Sequence, residues 1–239
     1  MAGATVLALA PAASATDYGA SLSPQAPADE ARWLSRSTVA RVFDTGTLDT
    51  WDSYPPLQRA YDAGIRKFVI SWKGTTGAEI RTFAATIPAD ATVFGTWWHE
   101  PENDIATGEF TLRYWKRTMV RLCGVMRRNG IIPIRVLMAW SLFPQSGRNI
   151  RSYDLPKGTI AIAAFDGHVY DKMPRNVARH LLEEKRRNKL PLAMAETSGP
   201  AKRIRTLRHL LDGKMRWATY LTRDGMTVRQ ANAWFGRPG

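Results

Sequence analysis

Of the 239 residues, one is cysteine and four are histidine. A single thiol excludes an intramolecular disulfide framework and leaves the compartment undecided. Cys123 sits in the apolar, helix-like stretch TMVRLCGVM, where a buried core thiol is expected. No apolar run approaches the roughly 18 residues that span a membrane, so no transmembrane segment is expected. Zinc-finger spacing, a P-loop, an aromatic RNA-binding motif, the dinucleotide glycine fingerprint and H-E-x-x-H are all missing. Acids are scarce too, with 21 Asp and Glu against 34 Lys and Arg, a net charge of +13. Such a charge attracts polyanions, which makes an anionic cell-envelope polymer a candidate partner. The cations are spread over several helix-like segments instead of one stripe, and nucleic acid is not expected.

A 44% hydrophobic content with nine tryptophans supports a substantial core, and the length suits one large domain. The leader MAGATVLALAPAASA carries an apolar run and then an A-x-A pattern, without a preceding Lys or Arg. A cleaved secretory leader over residues 1–15, hence an extracellular protein, is expected; an Ala-rich disordered leader is the other reading. Residues 16–239 form the remaining domain, expected to be a monomer.

Beyond the leader, apolar runs alternate with helical patterns. The runs cover 16–22, 38–46, 66–74, 91–100, 132–140, 159–167, 191–199 and 215–222. Amphipathic stretches such as PADEARWLSRS, AEIRTFAATI, FTLRYWKRTMVRLCGVMRRNG and NVARHLLEEKRRNK stand between them. Strict alternation argues for βαβ units, and near-continuous apolar runs fit parallel strands buried on both faces. Eight units predict a single-domain α/β (β/α)₈ TIM barrel, with a doubly wound open sheet as the alternative. SLFPQSGRNIRSYDLPKG, between the fifth and sixth runs, reads as a loop.

A barrel places its chemistry at the C-terminal ends of its strands. Polar or aromatic residues finish most runs: Asp44, Trp72, His99 with Glu100, Trp140, Asp166 with His168, Glu196 and Trp217. A carboxylate after an apolar run is unfavourable unless used or paired. Glu100 ends the fourth run and Glu196 the seventh, on a chord across the mouth, where two carboxylates can flank one small ligand. Acid–base work on a glycosidic bond needs that pair, one group protonating the leaving oxygen and the other meeting the anomeric carbon. His99 and the Trp-rich run are expected to hold Glu100 and raise its pKa. Glu102 is a rival acid in the loop after Pro101. Trp97 and Trp98 alternate faces, so one points into the barrel. Tryptophans offer flat faces to sugar rings. In WHEPE the adjacent His and Glu fall on opposite sides of a strand, poor geometry for a metal, and no metal or cofactor is expected.

WWHEPEND on a fourth strand, AMAETSG on a seventh and a Trp in the eighth resemble the retaining (β/α)₈ β-glycosidase clan. Within it they are most similar to glycoside hydrolase family 26, the β-mannanase type, and its short actinobacterial and phage relatives. The resemblance implies a retaining hydrolase of a β-linked polysaccharide, of mannan or glucan type. It assigns Glu100 as acid/base and Glu196 as nucleophile. It matches His99 to the histidine before the acid/base, and Trp217 to the aromatic floor of the central sugar subsite. FDGHVYD, with Asp166, offers His168 or Tyr170 beside the nucleophile. Trp72, Trp98 and Trp140 complete the expected substrate contacts. A carbohydrate- or cell-wall-binding barrel without strong catalysis is the other functional class.

Overall fold

The computed structural model describes residues 15–22, 33–44, 49–170, 172–221 and 226–236. Nearly all of the predicted leader, most of the first predicted helix and the side chain of Asp44 lie outside these residues. Eight parallel strands close in chain order into a barrel: β1 Asp17–Leu22, β2 Val39–Asp44, β3 Lys67–Trp72, β4 Thr92–Trp97, β5 Ile132–Met138, β6 Ile162–Asp166, β7 Leu192–Thr197 and β8 Trp217–Leu221. β8 returns to β1, with Thr219 opposite Gly19. A Cβ on Gly19 would lie 1.6 Å from the Val39 carbonyl oxygen, so this position admits no other residue without moving β2.

The helices are α1 Pro55–Asp62, α2 Gly77–Ala84, α3 Pro101–Ala106, α4 Leu112–Arg128, α5 Pro174–Asn188, α6 Ala201–Leu211 and α7 Val228–Phe235. Their starts are written locally. Proline opens α1, α3 and α5, where a missing N–H costs nothing. Thr76 with Glu79, and Thr227 with Gln230, form capping boxes on α2 and α7. The predicted loop between β5 and β6 contains only three short 3₁₀ turns. PENDIA, read from sequence as loop, is helix α3 instead; Pro101 at its first position was the available signal.

Side chains alternate between two cores. Outward residues such as Phe68, Ile70, Phe165 and Leu192 pack under the helices. Inward residues fill the barrel in tiers. Val39, Val69, Phe94, Ile134, Val136, Ala164, Ala193, Ala195 and Trp217 form the lower, apolar filling. Above them the interior turns polar with buried Ser21, Arg41, Ser71, Thr96, Asp166, Glu196 and Thr219. This change of polarity marks the mouth.

Two predicted substrate contacts are corrected here. Trp217 is the first residue of β8, opposite the mouth, and is only 1% exposed. Its ring packs 5.7 Å from Phe94, filling interior volume that Ala164, Ala193 and Ala195 leave open. It is a core residue and no sugar floor. Trp72 ends β3 but points outward, because Val69 and the buried Ser71 take the inward phase. It packs edge-on to Phe83 of α2, with ring centroids 5.7 Å apart.

Candidate active site

The sharp turn after β4 presents the first carboxylate. Trp98 and Glu100 both adopt left-handed backbone, with φ of 64° and 51°. Each costs roughly 1–3 kcal/mol for a non-glycine residue, and such strain persists only where neighbours enforce it. Here β3 and β5 do so: the Trp98 N–H donates to the Trp72 carbonyl (2.7 Å) and the Glu100 N–H to the Val136 carbonyl (3.0 Å). The turn thereby lifts Glu100 out of strand register and sets it at the start of α3.

A different irregularity aims the second carboxylate. Ala193 and Ala195 already face the barrel interior, so regular alternation would send Glu196 outward. The register of β7 shifts against both neighbours, with Phe165 opposite Met194 but Asp166 opposite Glu196. This bulge returns Glu196 to the mouth. The following Thr-Ser-Gly locks the turn. The Thr197 hydroxyl donates to the Gly167 carbonyl (2.6 Å), and the Val169 N–H to the Ser198 carbonyl (2.9 Å). Gly199, at φ 147°, lets the chain pass where a Cβ would come within 2.9 Å of Val169.

Around Glu196 stands a charge network. Arg41 of β2 donates Nη1–H to Asp166 Oδ1 (2.5 Å) and Nη2–H to Asp166 Oδ2 (3.2 Å). The same Nη1 lies 3.7 Å from Glu196 Oε2. His168 Nε2 lies 3.3 Å from Glu196 Oε1, while its Nδ1 meets the Ser198 hydroxyl at 2.6 Å. Of the two candidates offered by FDGHVYD, His168 therefore contacts Glu196. Tyr170 stays exposed at the cavity edge. The hydrogen bond and charge of Glu196 raise the His168 pKa against the opposing effect of burial. Arg41 escaped sequence reading, although one arginine inside the apolar run VARVFD is a visible warning of a buried, paired charge.

Burial pushes the Glu100 carboxyl up to about 8; the charges of Asp166, Glu196 and Glu102 add to this, and Arg41 opposes it. Glu100 is therefore predominantly protonated at neutral pH. Desolvation and neighbouring carboxylates achieve this. His99 does not share in it, contrary to expectation. Desolvation first, then Arg41 and Lys73, hold His99 well below the usual histidine range, so it is neutral. It packs 5.2 Å from the Phe43 ring, and its buried Nδ1 has no hydrogen-bond partner among the described residues. Asp166 is also raised, chiefly by burial, despite its forked bond to Arg41.

A second chain of contacts reaches Glu100 from the loop after β5. Arg148 donates to the Ser141 hydroxyl (3.1 Å) and to Asn103 Oδ1 (3.1 Å). With its carbonyl end so engaged, the Asn103 amide points its Nδ2 at Glu100 Oε2 (3.3 Å). Glu102, the rival acid, is buried and accepts the Met138 N–H at 2.9 Å. It ties α3 to the end of β5.

Trp140, Asp166, His168, Tyr170 and Lys172 border a cavity of about 340 Å³ beside Glu196's partners. The Lys172 ammonium lies 3.8 Å over the Trp140 ring and Phe143 packs against the same indole, so Trp140 is not a bare stacking face. Trp98 is half-buried at the rim. Its Nε1–H donates to Asp104 (2.6 Å), and Lys73 sits 5.4 Å from its ring. Among the described residues no group of three or more His, Cys, Asp or Glu is arranged to hold a metal ion, and no helix is long and apolar enough to cross a membrane.

The eight-stranded closed barrel is a fold that solved structures share. The chain covers 88% of the GH26 domain of an endo-β-mannanase/endo-β-glucanase from Prevotella bryantii, over 93% of its own length, with a TM-score of 0.67 and 11% identity. Against a GH26-CBM35 β-(1,4)-mannanase from Podospora anserina the TM-score is 0.59 at 12% identity; 94% of the chain spans 61% of that protein. A GH128 oligosaccharide-binding protein from Trichoderma gamsii matches over 92% of both chains, with a TM-score of 0.60 and 13% identity. No protein-family model and no curated protein matches the sequence. The chain thus has the (β/α)₈ fold of glycoside hydrolases.

Proposed function

We propose that this protein is a retaining glycoside hydrolase acting on a β-linked polysaccharide. The carrying observation is the pairing at one mouth of a carboxyl held protonated, Glu100, with a second carboxyl, Glu196, gripped by Arg41 and His168. In the first half-reaction a Glu196 oxygen attacks the anomeric carbon as the glycosidic C–O bond breaks. Glu100 gives its proton to the departing oxygen. In the second half, water loses a proton to the Glu100 carboxylate and its oxygen displaces Glu196 from the anomeric carbon.

The electrostatics suit both halves. The negative charge on Glu196 helps keep Glu100 protonated. Once Glu196 is esterified that charge is gone, the Glu100 pKa falls, and its carboxylate becomes available as a base. Arg41 and His168 stand against the two oxygens of the leaving Glu196 carboxylate, one on each.

Asn103 supplies a direct test of this division of labour. Its N–H on Oε2 favours ionised Glu100, and burial already outweighs it. With a panel of mannan-, glucan- and xylan-type polymers, reducing ends should appear, and kcat/KM should fall as pH rises through about 8. Asn103→Ala should move that alkaline limb to higher pH, by up to about one unit, the scale of one charge-assisted hydrogen bond. A limb that stayed in place would remove Asn103 from the account. Binding of oligosaccharides with no reducing ends from any polymer would favour a binding barrel instead.

A further inference from the structure

We propose that the groove between α5 and α6, on the flank of the barrel, is a docking track for an anionic glycan. The groove encloses about 580 Å³ and is lined by five cations: Arg175, Arg179, Lys185, Arg186 and Lys214. Its remaining lining residues are Ala178, Leu182 and Leu210, and no carboxylate borders it. Among the described residues none of the five cations forms a salt bridge. The ammonium groups of Lys185 and Lys214 donate only to the carbonyls of Lys214 and Leu210, both at 2.7 Å. The acids of α5 are committed elsewhere. Glu183 meets His180 at 3.2 Å, and buried Glu184 binds Arg187 and Asn188.

Uncompensated like charges along one helix repel one another and destabilise it unless an opposite charge settles between them. From Arg175 to Arg186 the track runs about 16 Å at the α-helical rise, long enough for several anionic groups in a row. The floor narrows the kind of polyanion. It is aliphatic, without an aromatic ring for base stacking, which disfavours single-stranded nucleic acid. It is concave, so a flat bilayer would touch the rim and leave the floor uncovered. A sugar chain fits both parts, laying C–H faces on Leu182, Leu210 and Ala178 and its carboxylates on the arginine forks. Helix α5 also borders the cavity at the mouth through Val177, the neighbour of Ala178 in the groove. The choice of a glycan over other polyanions rests on the hydrolase reading; the binding of a polyanion does not.

The test uses the full chain carrying Glu196→Ala, so that binding is read without turnover. Affinity is measured by calorimetry for polygalacturonate, neutral dextran, an oligothymidylate and phosphatidylserine vesicles, between 50 and 300 mM salt. Polygalacturonate should bind best, dextran weakly, and log K should fall with log salt. Arg175→Ala with Arg179→Ala and Arg186→Ala should weaken polygalacturonate at least about tenfold and flatten the salt slope. The charge-matched triple Arg113→Ala, Lys116→Ala and Arg117→Ala on α4 should stay within about twofold. The single variants Arg179→Gln and Arg186→Gln give the same reading should the groove triple fail to fold. Equal losses in both triples, or none in the groove triple, would overturn the track. Tighter binding of oligothymidylate or vesicles than of polygalacturonate would overturn the glycan as its occupant. Hydrolysis of neutral polymers by the parent, unchanged when the three groove substitutions are made on the chain that keeps Glu196, keeps the two proposals separable.

Discussion

Glu196→Ala is expected to lower kcat on β-linked polymer by about 10⁴-fold or more, with the fold and ligand binding retained. Losing the nucleophile removes the covalent path altogether, and activated-nucleophile losses of this size are usual. The space left faces Arg41 and His168, two groups that would welcome a small anion. Sodium azide should therefore restore turnover of aryl β-glycosides and yield the α-glycosyl azide, since azide attacks from the Glu196 side. Thermal melting checks the fold. The side chain of Glu196 meets Arg41 and His168, and its backbone carbonyl accepts the Gly167 N–H at 2.7 Å, a bond that the substitution leaves in place. Parent-like rates in this variant would remove Glu196 from the chemistry.

Glu100→Gln should cost about 10² to 10⁴ in kcat/KM on natural glycans, whose leaving oxygen needs a proton. The alkaline limb near pH 8 should vanish with it. A second readout needs no substrate. The folded-state pKa of about 8 stands above the ordinary value of 4.5. Between those values the folded protein holds a proton that the unfolded chain has released. Folding stability from this group therefore declines as pH rises from 4.5 to 8 and is level beyond. Glu100→Gln should raise Tm at pH 8 and leave it nearly unchanged at pH 4. An equal shift at both values would mean that the carboxyl is not held protonated by its surroundings.

Much of the scaffold was legible because strands buried on both faces write themselves as apolar runs. All eight runs became strands, trimmed at their ends. The same property hid the phase of each strand. Without polar alternation, nothing in RKFVISWKG says that Trp72 faces the helices, and nothing in MRWATYLT says that the strand begins at Trp217. Glu100 and Glu196 stood out as acids at strand ends, yet both reach the mouth through local irregularities. Left-handed backbone at Trp98 and Glu100, and the β7 bulge, depend on neighbouring strands and leave no mark in sequence. FDGHVYD kept His168 and Tyr170 equal until the Ser198 and Glu196 contacts separated them. Arg41 was readable in principle, since a buried arginine requires a carboxylate partner, but its partner lies 125 residues away on β6.

The covalent step offers the most direct test. Incubation with 2-deoxy-2-fluoro β-glycosides of the manno and gluco series that carry an activated leaving group such as dinitrophenolate should trap the glycosyl-enzyme, because fluorine slows both steps and the good leaving group speeds only its formation. Intact-mass spectrometry should show one added fluoroglycosyl unit, and peptide mapping should place it on Glu196. A label on any other residue, or turnover of β-glycans with inversion and no label, would contradict the assignment of Glu196 as the nucleophile and Glu100 as the acid/base.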